Sequence, residues 1–247
     1  MTFTMWSFWH FVFMLSPIVL TYVLHKLTKN LTQEQKREVG INLSIVAIGI
    51  LLARNVEIFI RSGYQFDHEL VPLQVCHFAN FVLLYSFWKK SDVGFALAFC
   101  LNLLAAFVSI VFADGLANYE SILNVRGFAY ISGHALIVVI TAWAFFNDFI
   151  YIKKKTLLNT VYVVEVMILI SISINNAMYL IYGRFSNYFY TEHPEAGTPL
   201  EWMWNWGKEY IYGGFKINFV YVLSIMLLFP LVTYLMYLVA KAFKKAE

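Results

Sequence analysis

The stretch Pro72-Leu73-Gln74-Val75-Cys76-His77-Phe78-Ala79-Asn80 sets a thiol, an imidazole and two amides at the start of an apolar run. In hydrocarbon such groups are costly unless they face a bundle interior or a wet cavity, which makes them a candidate site. A thiol becomes a nucleophile when a nearby base or cation favours its thiolate, and imidazole is the usual base. Two histidines compete for that task. His77 follows Cys76 directly, and adjacent helical residues diverge by about 100°. His134, in Ile131-Ser132-Gly133-His134-Ala135-Leu136, comes from another span and is the preferred partner. Asn80, one turn below Cys76, or Tyr130, one turn from His134, is expected to donate to an oxyanion or to orient the imidazole. Taken singly, each group also has a plain structural role: a hydrogen-bonded packing histidine, a small apolar cysteine as Cys100 is expected to be, or interhelical asparagines at Asn175 and Asn176. His10, His25, His68, His77 and His193 lack metal-ligand spacing such as H-E-x-x-H, so no metal or other cofactor is expected.

The elements that must position these groups are membrane spans. Apolar residues make up 60% of the chain and charged ones only 13%, with a mean hydropathy of +0.65. A net charge of +3, spread along the chain, gives no footing for nucleic acid. Both cysteines fall in apolar runs, where a disulfide framework is not expected. The N-terminus has neither a basic n-region nor a small-residue cleavage pattern, so it reads as a retained first span.

A helix needs ~20 residues to cross the bilayer. Runs of that order lie near 5–24, 39–60, 70–88, 93–113, 127–147, 157–182 and 217–240. The chain is therefore expected to be all-α, a polytopic bundle of about seven transmembrane helices forming a single transmembrane domain over residues 1–247. A six-span form with a re-entrant third segment is the alternative. Thr32-Gln33-Glu34-Gln35 has capping-box spacing and is expected to start the second helix. On one side fall Lys26, Lys29, Lys36, Arg37, Lys89, Lys90, Lys153, Lys154, Lys155, Lys241, Lys244 and Lys245, and on the other only Arg61, Arg126, Arg184, Lys208 and Lys216. That second side also carries Asp67, Glu69, Asp114, Glu120, Glu192, Glu195, Glu201 and Glu209. The asymmetry predicts an N-terminus outside and a C-terminus in the cytoplasm. The connection 183–216 is rich in Tyr and Trp, which favour the headgroup level, and is expected to be an extracytoplasmic lid with a short amphipathic helix or an anchoring aromatic belt.

With that orientation, Arg54, Glu57, Cys76, His134 and the pair Asn175-Asn176 come from four helices and fall in the outer half of the bilayer. The cytoplasmic halves of those helices read as nearly free of ionisable groups. An outward-opening cavity is expected, with Arg54, Glu57 and Arg61 either locking the second helix by ion pairing or binding a lipid headgroup.

Leu70-Val71-Pro72-Leu73-Gln74-Val75-Cys76, Ser132-Gly133-His134, Asn175-Asn176, Ser186-Asn187-Tyr188 and Pro199-Leu200 before a Trp-rich stretch resemble the YwaF-type integral membrane family. That family includes eukaryotic relatives, transmembrane protein 164, regarded as cysteine-dependent acyltransferases that remodel phospholipids. The resemblance implies an intramembrane lipid acyltransferase in the bacterial plasma membrane, with membrane lipids as substrates. Cys76 would be its nucleophile and His134 its base. The resemblance does not extend to the other polar groups, of which Arg54, Glu57, Asn80, Asn176 and Asn187 are expected to bind substrate. The other class to weigh is a small transporter or solute-binding subunit whose outward cavity uses the same polar groups, although no internal repeat supports it.

Overall fold

The computed structural model describes residues 3–113, 116, 122–183, 186–194, 198 and 200–247. Asp114, Glu120, Arg184, Glu195 and Pro199 lie outside the described residues. Seven segments are long and apolar enough to cross a membrane, and the seven-span expectation holds with ends shifted by a few residues. The spans comprise α1 (Phe8–Thr28), α2 (Gln33–Arg61), a third span built around α3 (Val75–Lys89), a fourth formed by α4 (Asp92–Leu97) and α5 (Leu103–Val111), α6 (Val125–Phe146), α7 (Lys154–Tyr182) and, after the short α8 (Leu200–Asn205), α9 (Phe219–Ala242).

Local chemistry sets their ends. The predicted capping box is present: Gln35 N–H donates to Thr32 Oγ1 at 3.3 Å, and Gln35 Oε1 accepts from Thr32 N–H at 2.9 Å. Ser91, Asn124 and Asn218 cap α4, α6 and α9 in the same way, each accepting from a first-turn amide. A π-helical turn, Ala98–Asn102, joins α4 to α5 within one continuous span. Cys100 is fully buried there among apolar side chains, as its plain structural reading requires.

Lipid supplies no hydrophobic drive for helix association, so packing and interhelical hydrogen bonds must supply it. α6 lies at the centre, against α1, α2 and α5, while α7 packs on α4 and α9. At one end Trp143 Nε1 donates to Thr28 Oγ1 at 2.9 Å, tying α6 to α1. Beneath it Phe87, Phe95, Phe149 and Trp143 form a ring cluster with centroids 5.0 to 6.1 Å apart. At the other end, His10 Nδ1 accepts from Trp6 N–H at 2.9 Å, which leaves Nε2 protonated to donate to Ile110 O at 2.9 Å. This histidine is a packing residue joining α1 to α5.

The all-α expectation needs one addition. Tyr210–Tyr212 (β1) and Phe215–Ile217 (β2) form a hairpin inside the 183–216 connection, with Tyr212 paired to Phe215 across Gly213-Gly214. Both glycines have positive φ, 58° and 83°, which a two-residue hairpin turn requires and other residues resist. The helix in this connection, α8, is only six residues long.

Two asparagines of α7 hold the loop. Asn175 is fully buried, and its amide group is saturated. Its Oδ1 accepts from Tyr188 N–H at 3.0 Å and Ser186 Oγ at 2.9 Å, while Nδ2 donates to Tyr188 O at 3.1 Å and Thr191 Oγ1 at 2.9 Å. Asn176 pins the hairpin, accepting from Lys216 N–H at 2.6 Å and donating to Lys216 O at 3.1 Å. Lys216 Nζ in turn pairs with Glu192 at 3.0 Å and Glu209 at 2.8 Å. Burial pushes the Glu192 carboxyl above its usual range against the opposing pull of Lys216. Desolvation works against the Lys216 ammonium as well, yet its two carboxylate partners outweigh that and raise it. Asn175→Ala leaves buried loop groups without partners and is expected to cost about 1–3 kcal/mol. Thermal unfolding in detergent measures that loss, and limited proteolysis should cut within 183–216 before any span opens.

Candidate functional site

The third span is not a helix from its first residue. Pro72 has no amide hydrogen to give and biases Val71 towards extended backbone. His68–Leu70 forms a single 3-10 turn, and α3 begins only at Val75. The expected span 70–88 is thus α-helical only from Val75, and Cys76 sits in the first turn of α3.

Irregular backbone at membrane depth must have its polar groups satisfied by protein. Three consecutive carbonyls are met by side chains from elsewhere. Tyr188 Oη donates to His68 O at 2.6 Å, Arg54 Nη1 to Glu69 O at 3.3 Å, and Asn55 Nδ2 to Leu70 O at 3.0 Å. Burial pushes the Tyr188 phenol up to about 12, so it remains a donor at any physiological pH. The Glu69 carboxylate is gripped from both sides, by Arg54 Nη2 at 2.6 Å and by Arg126 Nη2 at 2.8 and 2.9 Å. Arg54 is therefore committed to this cluster. Glu57 pairs with Arg61 at 3.0 Å, and its other oxygen, Oε2, is buried without a partner among the described residues.

Gln74 occupies the N-cap of α3 but provides no side-chain cap. The first-turn amides, Cys76 among them, are thus helix donors with no intrahelical acceptor, at the positive end of the helix dipole. Cys76 is half-buried, and its Sγ lies 4.0 Å from Ser109 Oγ. Ser109 is fixed by its own bond to Ala105 O at 3.0 Å, and its carbonyl accepts from Tyr130 Oη at 2.9 Å, which locks α5 to α6 beside the thiol.

His134 Nδ1 lies 2.7 Å from Tyr130 O. A carbonyl only accepts, so Nδ1 carries the proton and the lone pair of the neutral ring is on Nε2. The Tyr130 and His134 rings also meet at a tilt, with centroids 4.3 Å apart. Tyr130 does orient the imidazole, but through its backbone carbonyl and ring contact, since its hydroxyl is spent on Ser109. Among the described residues no hydrogen bond joins Cys76 to His134. His77, His134 and Arg54 lie within electrostatic reach of one another, where α3, α6 and α2 converge. His77 Nδ1 is buried with no partner among the described residues.

The remaining expected residues divide by what they touch. Asn80 turns its amide nitrogen back on Cys76 O and His77 O, both at 3.4 Å, which leaves its carbonyl oxygen buried and open. That oxygen accepts and cannot serve an oxyanion. Asn176 holds the hairpin as described, and Asn187 closes a turn by accepting from Glu192 N–H and His193 N–H, both at 3.2 Å. Sequence reasoning missed Asn55, Glu69, Ser109 and Arg126 as parts of this site. Ser109 is one polar residue in an apolar run, and Glu69 reads from sequence as a loop acid.

Arg54→Met strands Glu69 O and half of the carboxylate's grip, and is expected to destabilise the fold by about 1–3 kcal/mol, given the partial exposure of its partner. Arg61→Met removes a pair more than half exposed on the arginine side and should change stability by no more than about 0.5 kcal/mol. Paired thermal melts in one detergent check the ordering.

No curated protein and no solved structure matches the chain. A family model described as the TMEM164 family matches residues 3–237, nearly the whole molecule. With seven apolar spans and that match, this is an integral membrane protein, and the chain belongs to the TMEM164 family.

Proposed function

We propose that the protein is an intramembrane cysteine-dependent lipid acyltransferase. One observation carries the reading: Cys76 stands in the uncapped first turn of α3, while His134, on a helix packed against it, is held as the tautomer whose open nitrogen is a base. The Cys76 thiol becomes a nucleophile when a base takes its proton. The same first-turn amides are donors for an oxyanion.

In this reading a lipid ester reaches Cys76 laterally, from the side of the bundle that carries the 183–216 loop. The Cys76 proton passes to His134 Nε2 as the site tightens around substrate, and Sγ attacks the ester carbonyl carbon. The oxyanion collapses, the carbon–oxygen bond breaks, and the departing lyso-lipid alkoxide takes the proton back from His134. A thioester remains on Cys76. A second lyso-lipid gives its hydroxyl proton to Nε2 and attacks the thioester, which restores the thiol. Water in place of that hydroxyl makes the protein a phospholipase. Arg61, more than half exposed at the end of α2 beside its partner Glu57, is an arginine that a headgroup phosphate can reach, whereas Arg54 is occupied with Glu69.

The interrupted third span favours a second reading, since solute carriers place binding sites at broken helices. Cys76→Ser separates the two, because a carrier tolerates it and thioester chemistry does not. With an isotope-labelled phospholipid donor and an unlabelled lyso-lipid acceptor in vesicles, acyl exchange is expected from wild type. Cys76→Ala and Cys76→Ser should lose it, and His134→Ala should slow it by about 10²–10⁴-fold. Undiminished exchange by Cys76→Ser would remove the acyltransferase reading.

A further inference from the structure

α7 carries one carboxyl deep in the membrane, and the site above makes no use of it. Glu165 lies about 16 Å along the helix from its start at Lys154, near mid-span. Both of its carboxyl oxygens are shielded, and among the described residues neither has a hydrogen-bond partner. It is the exception to the expectation that this half of the bundle is nearly free of ionisable groups. An ionised carboxylate without a counter-ion in hydrocarbon is the costliest arrangement open to this side chain, whereas the neutral acid avoids most of the penalty.

A second, independent observation lies at the same level of the neighbouring helices. Asn102 closes the π-helical turn of the fourth span, about 15 Å from that span's start at Asp92. Thr233 lies about 14 Å from the end of α9 at Ala242. Both are almost completely buried, and neither Asn102 Nδ2 nor Thr233 Oγ1 has a partner among the described residues. The π turn packs on α9, and α7 packs on α4 and α9. Turns of this kind concentrate at functional positions in helices. Three polar side chains on three mutually packed elements thus keep open hydrogen-bonding capacity at one depth.

The titratable groups on the elements packed against α7 do not neutralise Glu165. The fourth span offers Asp92, at its end, and Cys100, and α9 offers Tyr221, Tyr234, Tyr237 and Lys241. Tyr188, Tyr190 and Lys216 of the loop meet α7 at its far end, around Asn175 and Asn176. None of these forms an ion pair or hydrogen bond with Glu165 among the described residues.

We propose that Glu165 is a proton-binding site in the bilayer interior, distinct from the thiol and imidazole on α3 and α6. Its ligand is a proton, held as the neutral acid at neutral pH, and Asn102 and Thr233 furnish the polar surroundings for its exchange. The proposal does not depend on acyl transfer, and its test does not use that activity.

Purified protein in detergent is treated at neutral pH with dicyclohexylcarbodiimide, an apolar reagent that adds to protonated carboxyls. The acid proton goes to one carbodiimide nitrogen and the carboxyl oxygen to the central carbon, after which the acyl group migrates to nitrogen as a stable acylurea. Peptide mapping of wild type should place the adduct on Glu165 in preference to exposed acids such as Glu34 and Glu201. Labelling should persist in Glu165→Asp and disappear in Glu165→Gln. A protonated-carboxyl infrared band should also be present in wild type and absent from Glu165→Gln. An unlabelled Glu165 in wild type would overturn the proposal. Suppression of labelling by sodium but not by N-methylglucamine would also overturn it, by showing that a metal cation and not a proton occupies the site.

Discussion

Three backbone carbonyls in a row, on His68, Glu69 and Leu70, are the groups around which the rest of this structure is arranged. Pro72 prevents the third span from running as one helix, and a membrane offers no water to the backbone that the break exposes. Partners must therefore come from other elements. α2 sends Arg54 and Asn55, the 183–216 loop sends Tyr188, and α7 holds Tyr188 in place through Asn175. Glu69 then draws in Arg126 from the second residue of α6. Four parts of the chain are tied to one short interruption.

The interruption decides where Cys76 stands. Because helical structure resumes only at Val75, Cys76 falls in a first turn whose amides have no cap, and not on the flank of a continuous helix. The α5–α6 junction sets the thiol's surroundings through Ser109 and Tyr130, and the same Tyr130 fixes the tautomer of His134. The thiol, the open first-turn amides and the imidazole are thus each placed by a separate local feature of the backbone. The loop that helps satisfy the interruption also flanks it, so any movement of Tyr188 would be felt at the entry to α3.

Much of the architecture was legible from the sequence, because apolar length is a strong signal in membrane proteins. Thr32 and Gln35 formed the expected capping box. The hairpin is less plain in sequence: Tyr-Ile-Tyr-Gly-Gly-Phe-Lys-Ile has the turn chemistry and flanking alternation of one, but its aromatic content is equally a headgroup signal. Cys76 and His134 stood out as polar atoms in apolar runs, and α3 and α6 do pack together. What sequence could not carry was the partner of each polar group. Arg54 and Asn55 meet carbonyls some 15 positions later, and Asn176 and Asn187 are engaged by loop backbone. Glu165 is faint in sequence because a single acid barely alters the hydropathy of a 29-residue helix.

The central claim is a covalent one, that an acyl group rests on Cys76 between two lipids. Intact-mass analysis of protein quenched after brief exposure to phospholipid tests it most directly. The account predicts a hydroxylamine-sensitive acyl adduct on wild type that is absent from Cys76→Ala. The absence of any adduct on wild type, under conditions in which labelled acyl chains nonetheless exchange, would contradict it.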